Sequence, residues 1–186
     1  MRLFIAIELT SGIRDALAAF LRELRAVVPH AKWVRAENLH VTLKFLGEVE
    51  PAKLPAIQQT LSAIRSEGPV GLQFRGLGFF PNEKRPRILW LGMGASSNLN
   101  LLAADIDNGM RKLSFPLEER PFTPHLTLAR FQPPGMPPKL GSAAKDYSNR
   151  NFGSLTASEF HLIESKLKAS GAEYTTLQSF SFLAEN

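Results

Sequence analysis

The apolar residues of this chain follow two periods, one typical of β-strands and the other typical of helices. Residues 3–9 are a continuous run of apolar, mostly β-forming side chains, which predicts a buried central strand. Three later stretches carry an apolar residue at every third or fourth position, which predicts amphipathic helices beginning near residues 10, 50 and 99. A short fourth helix is predicted over 139–146, after a proline-rich loop over 132–138. The other predicted strands cover 33–34, 38–46, 70–80 (one bent strand or a pair), 87–92, 125–131, 160–165 and 174–182.

This order of elements occurs twice, at a spacing of 85 residues. In that register Arg2-Leu-Phe-Ile-Ala lies over Arg87-Ile-Leu-Trp-Leu, and apolar helix positions such as Leu17 and Leu102 coincide. The repeat is too long for a solenoid unit and has only two copies. We therefore expect one domain over residues 1–186, made of two interlocked lobes related by a pseudo-two-fold.

The repeat also aligns two short motifs, His40-Val-Thr42-Leu and His125-Leu-Thr127-Leu. In a strand, residues i and i+2 point to the same face, so each histidine lies beside its threonine while the apolar neighbours face the core. If the two lobes pack together, the motif strands meet at a shared cleft. A duplicated structural His-Thr pair is the alternative interpretation, and for a single copy it would be the better one.

Two imidazoles and two hydroxyls at one cleft suit phosphodiester chemistry. With an unperturbed pKa near 6.5, one imidazole can accept a proton while the other donates one at neutral pH. The threonine hydroxyls can donate hydrogen bonds to phosphoryl oxygens, and no metal ion is required. Nothing in the spacing of the other histidines, His30 and His161, indicates a metal site, and we expect both to be surface or packing residues.

Composition adds a few exclusions to this picture. The chain has 186 residues, 44% of them hydrophobic, and a formal charge of +5, which suits an anionic partner such as nucleic acid. The absence of cysteine excludes disulfides and thiolate chemistry. No apolar run approaches the roughly 20 residues of a membrane span, and the first residues lack a secretory signal. We expect a cytoplasmic protein without a membrane partner, and a monomer.

Both motifs sit in longer signatures, Trp33-Val-Arg-Ala-Glu-Asn-Leu-His40-Val-Thr-Leu-Lys-Phe-Leu-Gly47 and Pro121-Phe-Thr-Pro-His125-Leu-Thr-Leu-Ala-Arg130. These resemble the signatures of the two-histidine (2H) phosphoesterases, and most closely those of the LigT/ThpR-type RNA 2′,3′-cyclic phosphodiesterases, historically called 2′-5′ RNA ligases. The resemblance spans nearly the whole chain. It implies a bilobal α+β fold in which antiparallel sheets, with helices outside, surround a central cleft.

The resemblance also implies an activity and separates the two histidines. It implies conversion of a terminal 2′,3′-cyclic phosphate of RNA to a 2′-phosphomonoester, without metal or cofactor. By resemblance, His40 is the proton donor and His125 the proton acceptor, whereas chemistry alone leaves the two exchangeable. Thr42 and Thr127 would hold phosphoryl oxygens.

Two further residues, each five positions beyond a histidine, suit RNA. Phe45 could stack on a nucleobase, and Arg130 could bind phosphate. Strict alternation nevertheless sends both to the face opposite their histidines, so a core position is at least as good an expectation for Phe45. Arg130 is costly to bury, so we expect a bend at the strand end to turn it toward the cleft. Alternation places Lys44 on the His40 face, where a surface lysine is the commoner outcome.

Three alternatives remain open at this stage. The same site could join RNA ends through a 2′-5′ linkage, or it could hydrolyse a small cyclic nucleotide. A protein of another class, a non-catalytic RNA-binding module, would use the basic surface alone. The expected partner is RNA with a 2′,3′-cyclic phosphate end, such as a tRNA fragment, or a small cyclic nucleotide.

Overall fold

The apolar run near the start of the chain forms strand β1, which lies inside a sheet as predicted. Its residues Leu3, Ile5 and Ile7 are almost completely buried. The computed structural model describes residues 1–132, 138–147, 149–169 and 171–183. The strands are β1 (Arg2–Glu8), β2 (Lys32–Trp33), β3 (His40–Glu48), β4 (Val70–Phe80), β5 (Ile88–Ala95), β6 (His125–Arg130), β7 (Asn151–Ala157), β8 (Glu159–Lys168) and β9 (Gly171–Ser181). The helices are α1 (Ser11–Val27), α2 (Leu54–Ser62), α3 (Asn98–Arg111) and α4 (Pro138–Asp146), with single 3₁₀ turns at Ala36–Asn38 and Pro51–Lys53.

The strands form two antiparallel sheets whose strand orders correspond. The first sheet has the order β3-β1-β8-β9, and the second has the order β2-β6-β5-β4-β7. Each sheet takes two strands from the other half of the chain, because β2 and β4 join the second sheet while β8 and β9 join the first. The two halves of the repeat are therefore linked by exchanged strands.

The helices cover one face of each sheet, and each sheet is again covered by helices from both halves of the chain. Helix α1 follows β1 in the chain but contacts β7 of the second sheet, where α4 contacts β4. Helices α2 and α3 contact each other, and they reach β9 and β3 of the first sheet. The apolar stripe of α1 is buried as predicted, and its members are Ile13, Leu17, Phe20, Leu21 and Leu24. The expected α+β class, with antiparallel sheets and outer helices, is confirmed.

The spacing of the repeat differs by one residue between its parts. Glu8 lies opposite His40 and Gly92 lies opposite His125, so β1 and β5 correspond at a spacing of 84. The motif strands themselves correspond at 85. A shift of one residue exchanges the two faces of a strand, so the 85-residue register assigns the side chains of β5 to the wrong face.

Several predicted elements need correction. Strand β4 is one strand, bent where its pairing with β5 breaks between Phe74 and Leu77. Strand β7 was not predicted, because its polar residues and its glycine obscure the alternation of buried and exposed side chains. At Gly153 the side chain of Ile13 occupies the space that a Cβ atom would need. The predicted proline-rich loop falls largely on residues 133–137, outside the described residues. Every helix in the described part of the chain is too short or too polar to cross a membrane.

The expectation of a surface position for Lys44 is wrong. Its side chain is only 2% exposed, and its ammonium group contacts the carboxylate of Asp107 and donates to the carbonyl of Pro116 at 2.9 Å. The second carboxylate oxygen of Asp107 accepts the backbone N–H of Glu118 at 3.2 Å. One ion pair thus joins the first motif strand to α3 and to the segment that follows it.

Replacing Lys44 tests how much this ion pair contributes to stability. Lys44→Met keeps a buried stem but leaves the carboxylate of Asp107 without its cation, so we expect the free energy of unfolding to fall by about 3 kcal/mol. The matched control is Lys168→Met, because Lys168 makes an ion pair with Glu173 at the surface, at 2.6 Å. Its loss should change the free energy by less than about 1 kcal/mol. Urea unfolding measures both, and equal losses would contradict a stabilising role for the buried pair.

Candidate active site

The two motif strands place their histidines and threonines as the alternation predicted. On β3, His40 and Thr42 are half-buried on one face, while Val41 and Leu43 between and beyond them are buried. Strand β6 repeats this pattern with His125 and Thr127. Strands β3 and β6 also contact each other, although they belong to different sheets. The duplicated motifs therefore lie next to each other where the two sheets meet.

An irregularity follows each motif at the same place. Leu43 drops out of the pairing between β3 and β1, and Leu128 drops out of the pairing between β6 and β5. Such a bulge shifts the alternation by one residue. Phe45 and Arg130 consequently return to the face of their histidines, and Phe45 is 57% exposed. The core position considered for Phe45 is wrong for this reason, and the bulge supplies the bend that was expected to turn Arg130 toward the cleft.

A cavity of about 250 Å³ lies beside the motif strands and draws its walls from both sheets. Five of the six predicted site residues line it, namely His40, Thr42, Phe45, Thr127 and Arg130. His125 does not line the cavity itself, but it precedes Thr127 on the same face of β6. The other lining residues are Arg2, Leu3, Phe4, Val34, Asn38, Ser165, Leu167, Ala172 and Tyr174.

Both imidazoles are held in the same way. Nδ1 of His40 lies 2.7 Å from the backbone oxygen of Asn38, and Nδ1 of His125 lies 2.7 Å from the backbone oxygen of Thr123. A carbonyl oxygen only accepts hydrogen bonds, so each Nδ1 carries a proton. In the neutral form, Nε2 of each ring then has a free lone pair. Each histidine can accept a proton at Nε2 and, once charged, return it from the same atom.

Aromatic side chains surround the ring of His40. Its ring lies 4.6 Å from the ring of Phe4 and 5.3 Å from that of Tyr174, centroid to centroid. Burial lowers the pKa of His40 from 6.5 to about 4, although the hydrogen bond to Asn38 and the charge of Glu8 oppose the shift. His40 is therefore neutral at pH 7 when the cavity is empty.

His125 packs against a different pair of rings. The ring of Phe80 lies 5.0 Å away and that of Trp90 lies 6.4 Å away. The indole of Trp90 in turn occupies the space where a Cβ atom of residue 78 would lie, so only glycine fits there. The position of Trp90 beside His125 thus depends on Gly78.

Sequence reasoning missed several neighbours of the cavity. Tyr174 carried no motif signal, and Phe4 was seen only as part of an apolar run. Asn38 could have been found from the repeat, because it precedes His40 by two residues, as Thr123 precedes His125. Its side-chain amide donates to the backbone oxygen of Ala172 at 2.7 Å and so ties the first motif to β9.

The remaining histidines lie apart from this arrangement. His161 is 7% exposed and its Nδ1 lies 3.0 Å from the hydroxyl of Ser179, which is a packing position as predicted. His30 is exposed in the turn before β2. In the described ranges, no three His, Asp or Glu side chains converge closely enough to hold a metal ion.

Comparison with known proteins shows the family of this chain. The family model for LigT-like phosphoesterases matches residues 7–90 and again residues 93–174, one match for each half of the repeat. The chain belongs to the LigT-like phosphoesterase family. The two matches also agree with the duplication seen in the strand order.

Individual members of the LigT-like phosphoesterases are similar over almost the whole chain. An Archaeoglobus fulgidus protein named RNA 2′,3′-cyclic phosphodiesterase is 36% identical over 180 residues, covering 97% of this chain and 99% of the relative. A crystal structure of a Thermus thermophilus protein superposes with a TM-score of 0.82 at 32% identity and covers 100% of both chains. E. coli LigT complexed with 3′-AMP gives 0.76 at 30% identity, covering 98% of both chains.

The lowered pKa of His40 can be measured directly in this LigT-like phosphoesterase. Titration of the Cε1–H resonance by NMR should give a midpoint near 4 in the ligand-free protein. Because burial is the main cause, Phe4→Ala should admit water and raise the midpoint toward 6.5. A midpoint above 6 in the unsubstituted protein would contradict the effect of burial on this imidazole. A midpoint that Phe4→Ala leaves near 4 would show that another group causes the shift.

The dependence of His125 on Gly78 can be tested in the same spectra. Gly78→Ala should push the Trp90 indole aside and shift the ring resonances of His125, while those of His40 stay in place. The matched control is Gly94→Ala on neighbouring β5, where a Cβ atom would meet nothing within 4 Å. Unchanged His125 resonances in Gly78→Ala would show that Trp90 does not set the position of this ring.

Proposed function

We propose that this protein hydrolyses RNA 2′,3′-cyclic phosphate ends to 2′-phosphomonoesters. The observation that carries the proposal is the matched pair of imidazoles, each held at Nδ1 by a backbone carbonyl and each beside a threonine. The name RNA 2′,3′-cyclic phosphodiesterase, given to relatives such as the Archaeoglobus fulgidus protein, supports the substrate class.

In the proposed reaction, two histidines move protons on opposite sides of phosphorus. Nε2 of His125 accepts a proton from water as the water oxygen attacks phosphorus. The bond between phosphorus and O3′ breaks, and Nε2 of His40 gives a proton to the departing oxygen. The bond to O2′ stays intact, which leaves a 2′-phosphomonoester and a 3′-hydroxyl. Each positioned proton transfer is worth about 10²–10⁴-fold in rate.

The acid role requires His40 to gain a proton when the substrate binds, because its pKa is about 4 in the empty site. A cyclic phosphate carries one negative charge, which raises the pKa of an adjacent imidazole. Glu8, opposite His40 on β1, acts in the same direction. Once protonated, an imidazole whose pKa is lowered by burial releases its proton readily, which suits a general acid.

The threonines and Arg130 supply the remaining interactions with phosphate. The hydroxyls of Thr42 and Thr127 donate hydrogen bonds to the non-bridging oxygens, and the guanidinium of Arg130 offsets their charge. Together with the two imidazoles, these groups account for every proton and charge in the reaction without a metal ion. The exposed ring of Phe45 stacks on the terminal base, as aromatic side chains do in single-stranded RNA recognition.

The test uses an oligonucleotide that ends in 2′,3′-cyclic phosphate, with EDTA present, and phosphorus NMR to follow the product. We expect a 2′-phosphomonoester, and we expect His40→Ala or His125→Ala to lower kcat/KM by about 10²–10⁴-fold. His30→Ala is the matched control, because His30 is exposed and lies outside the cavity. Unchanged cyclic phosphate, or hydrolysis that survives loss of both motif histidines, would contradict the proposal.

A substrate with sulfur in place of O3′ distinguishes which histidine is the acid and which is the base. A thiolate leaves without a proton, so His40→Ala should hydrolyse this substrate within about tenfold of the unsubstituted protein. His125→Ala should stay slow, since water still needs its base. The opposite pattern, with His125→Ala rescued by sulfur, would exchange the two roles.

A further inference from the structure

The cavity extends past the motif histidines along the first sheet, to a row of three polar side chains. Arg2 lies opposite Ser165 on β8, and Ser165 lies opposite Tyr174 on β9. All three side chains line the cavity, so they form one row across three neighbouring strands on its inner face. This donor row consists of a guanidinium, a hydroxyl and a phenol, each of which can donate hydrogen bonds.

The donor row is not used within the protein. Among the described residues, none of its three side chains makes a hydrogen bond or ion pair to another side chain or to the backbone. Glu48, which lies opposite Arg2 on β3, is 79% exposed and faces the terminal amine of Met1 at 3.7 Å. Donors that line a cavity without internal acceptors are available for an acceptor on a ligand.

The charge around the row favours an anion. Burial raises the pKa of Tyr174, while the charges of Arg130 and Arg2 oppose this shift, so both guanidinium groups act on the phenol from their separate sheets. The phenol stays protonated at neutral pH and remains a donor. The row itself offers one cation and two neutral donors, a combination that suits phosphate, whose oxygens only accept.

The position of the row relative to His40 indicates which phosphate of an RNA substrate it could bind. The rings of Phe4 and Tyr174 lie 4.6 and 5.3 Å from that of His40, so the row begins beside His40. Its far end is Arg2, which lies two residues, roughly 7 Å, beyond Phe4 along β1. One nucleoside spans a gap of this size. Nothing follows the cyclic phosphate in an RNA chain, so the only neighbouring phosphate is the one on the 5′ oxygen of the terminal nucleoside.

We propose that Arg2, Ser165 and Tyr174 form a subsite for the phosphate on the 5′ oxygen of the terminal nucleoside. The inference rests on the proposed function and deepens it, because it names oligonucleotide ends, rather than bare cyclic nucleosides, as the preferred substrates. Binding energy at this subsite would be specific to substrates that carry a second phosphate, and stacking on Phe45 would be available to both kinds.

The test measures binding by calorimetry, so that it does not depend on hydrolysis. The ligands are a dinucleotide with a 2′-phosphate end and its analogue with an uncharged methylphosphonate at the internal linkage. We expect the unsubstituted protein to bind the analogue about tenfold more weakly, which is the usual size of one hydrogen-bonded charge contact. In Arg2→Gln the two ligands should bind within about twofold of each other.

Controls and a second pair of ligands complete the experiment. Arg111→Gln should keep the tenfold preference, because Arg111 ends α3 outside the cavity. Tyr174→Phe and Ser165→Ala each remove one donor and should weaken the preference about twofold to threefold. Nucleoside 2′-phosphates with and without a 5′-phosphate test the source. A gain in affinity from the 5′-phosphate that Arg2→Gln removes indicates that the subsite also takes a terminal phosphate.

Two results would overturn the subsite. One is equal binding of the dinucleotide and its analogue by the unsubstituted protein, and the other is an undiminished preference in Arg2→Gln. These results differ from failure of the proposed function. Charge-dependent binding without any hydrolysis would contradict the activity alone, whereas hydrolysis without charge-dependent binding would contradict the subsite alone.

Discussion

The irregularity that directly follows each motif is the constraint on which the cleft depends. In a regular strand, residues i, i+2 and i+5 cannot share a face. Because Leu43 and Leu128 drop out of the pairing, the side chain five positions beyond each histidine returns to the cleft. The residue before that side chain is turned into the core. For β3 this residue is Lys44, and its burial requires the carboxylate of Asp107 on α3.

The duplication gives the two histidines the same backbone but different chemistry. Both rings donate from Nδ1 to a carbonyl two residues earlier, which fixes the same tautomer in each. Phe4 and Tyr174 pack against the ring of His40, whereas Phe80 and Trp90 pack against that of His125. Beyond the bulges, one strand presents an aromatic ring and the other a guanidinium. Equivalent positions in the repeat have thus diverged into complementary parts of one binding surface.

Much of this could be predicted from the sequence, because periodicity reports which face of an element is buried. The main helices, most strands, the pairing of His with Thr and the duplication all follow from apolar spacing and from the repeated motif. The positions of Phe45, Arg130 and Lys44 could not be predicted, because a bulge leaves no mark in the apolar pattern. Tyr174 and Arg2 were missed because strand pairing over long sequence separations, not a local motif, brings them to the cavity.

The exchange of strands between the halves has a consequence for how the protein is made. Strand β1 pairs with β8, whose residues follow it by more than 150 positions. During synthesis β1 therefore has β3 on one side and an unsatisfied edge on the other until β8 has left the ribosome. Contacts of such long range slow folding, because a large loop must close before they form. Strand β1 thus acquires its second neighbour long after its own synthesis.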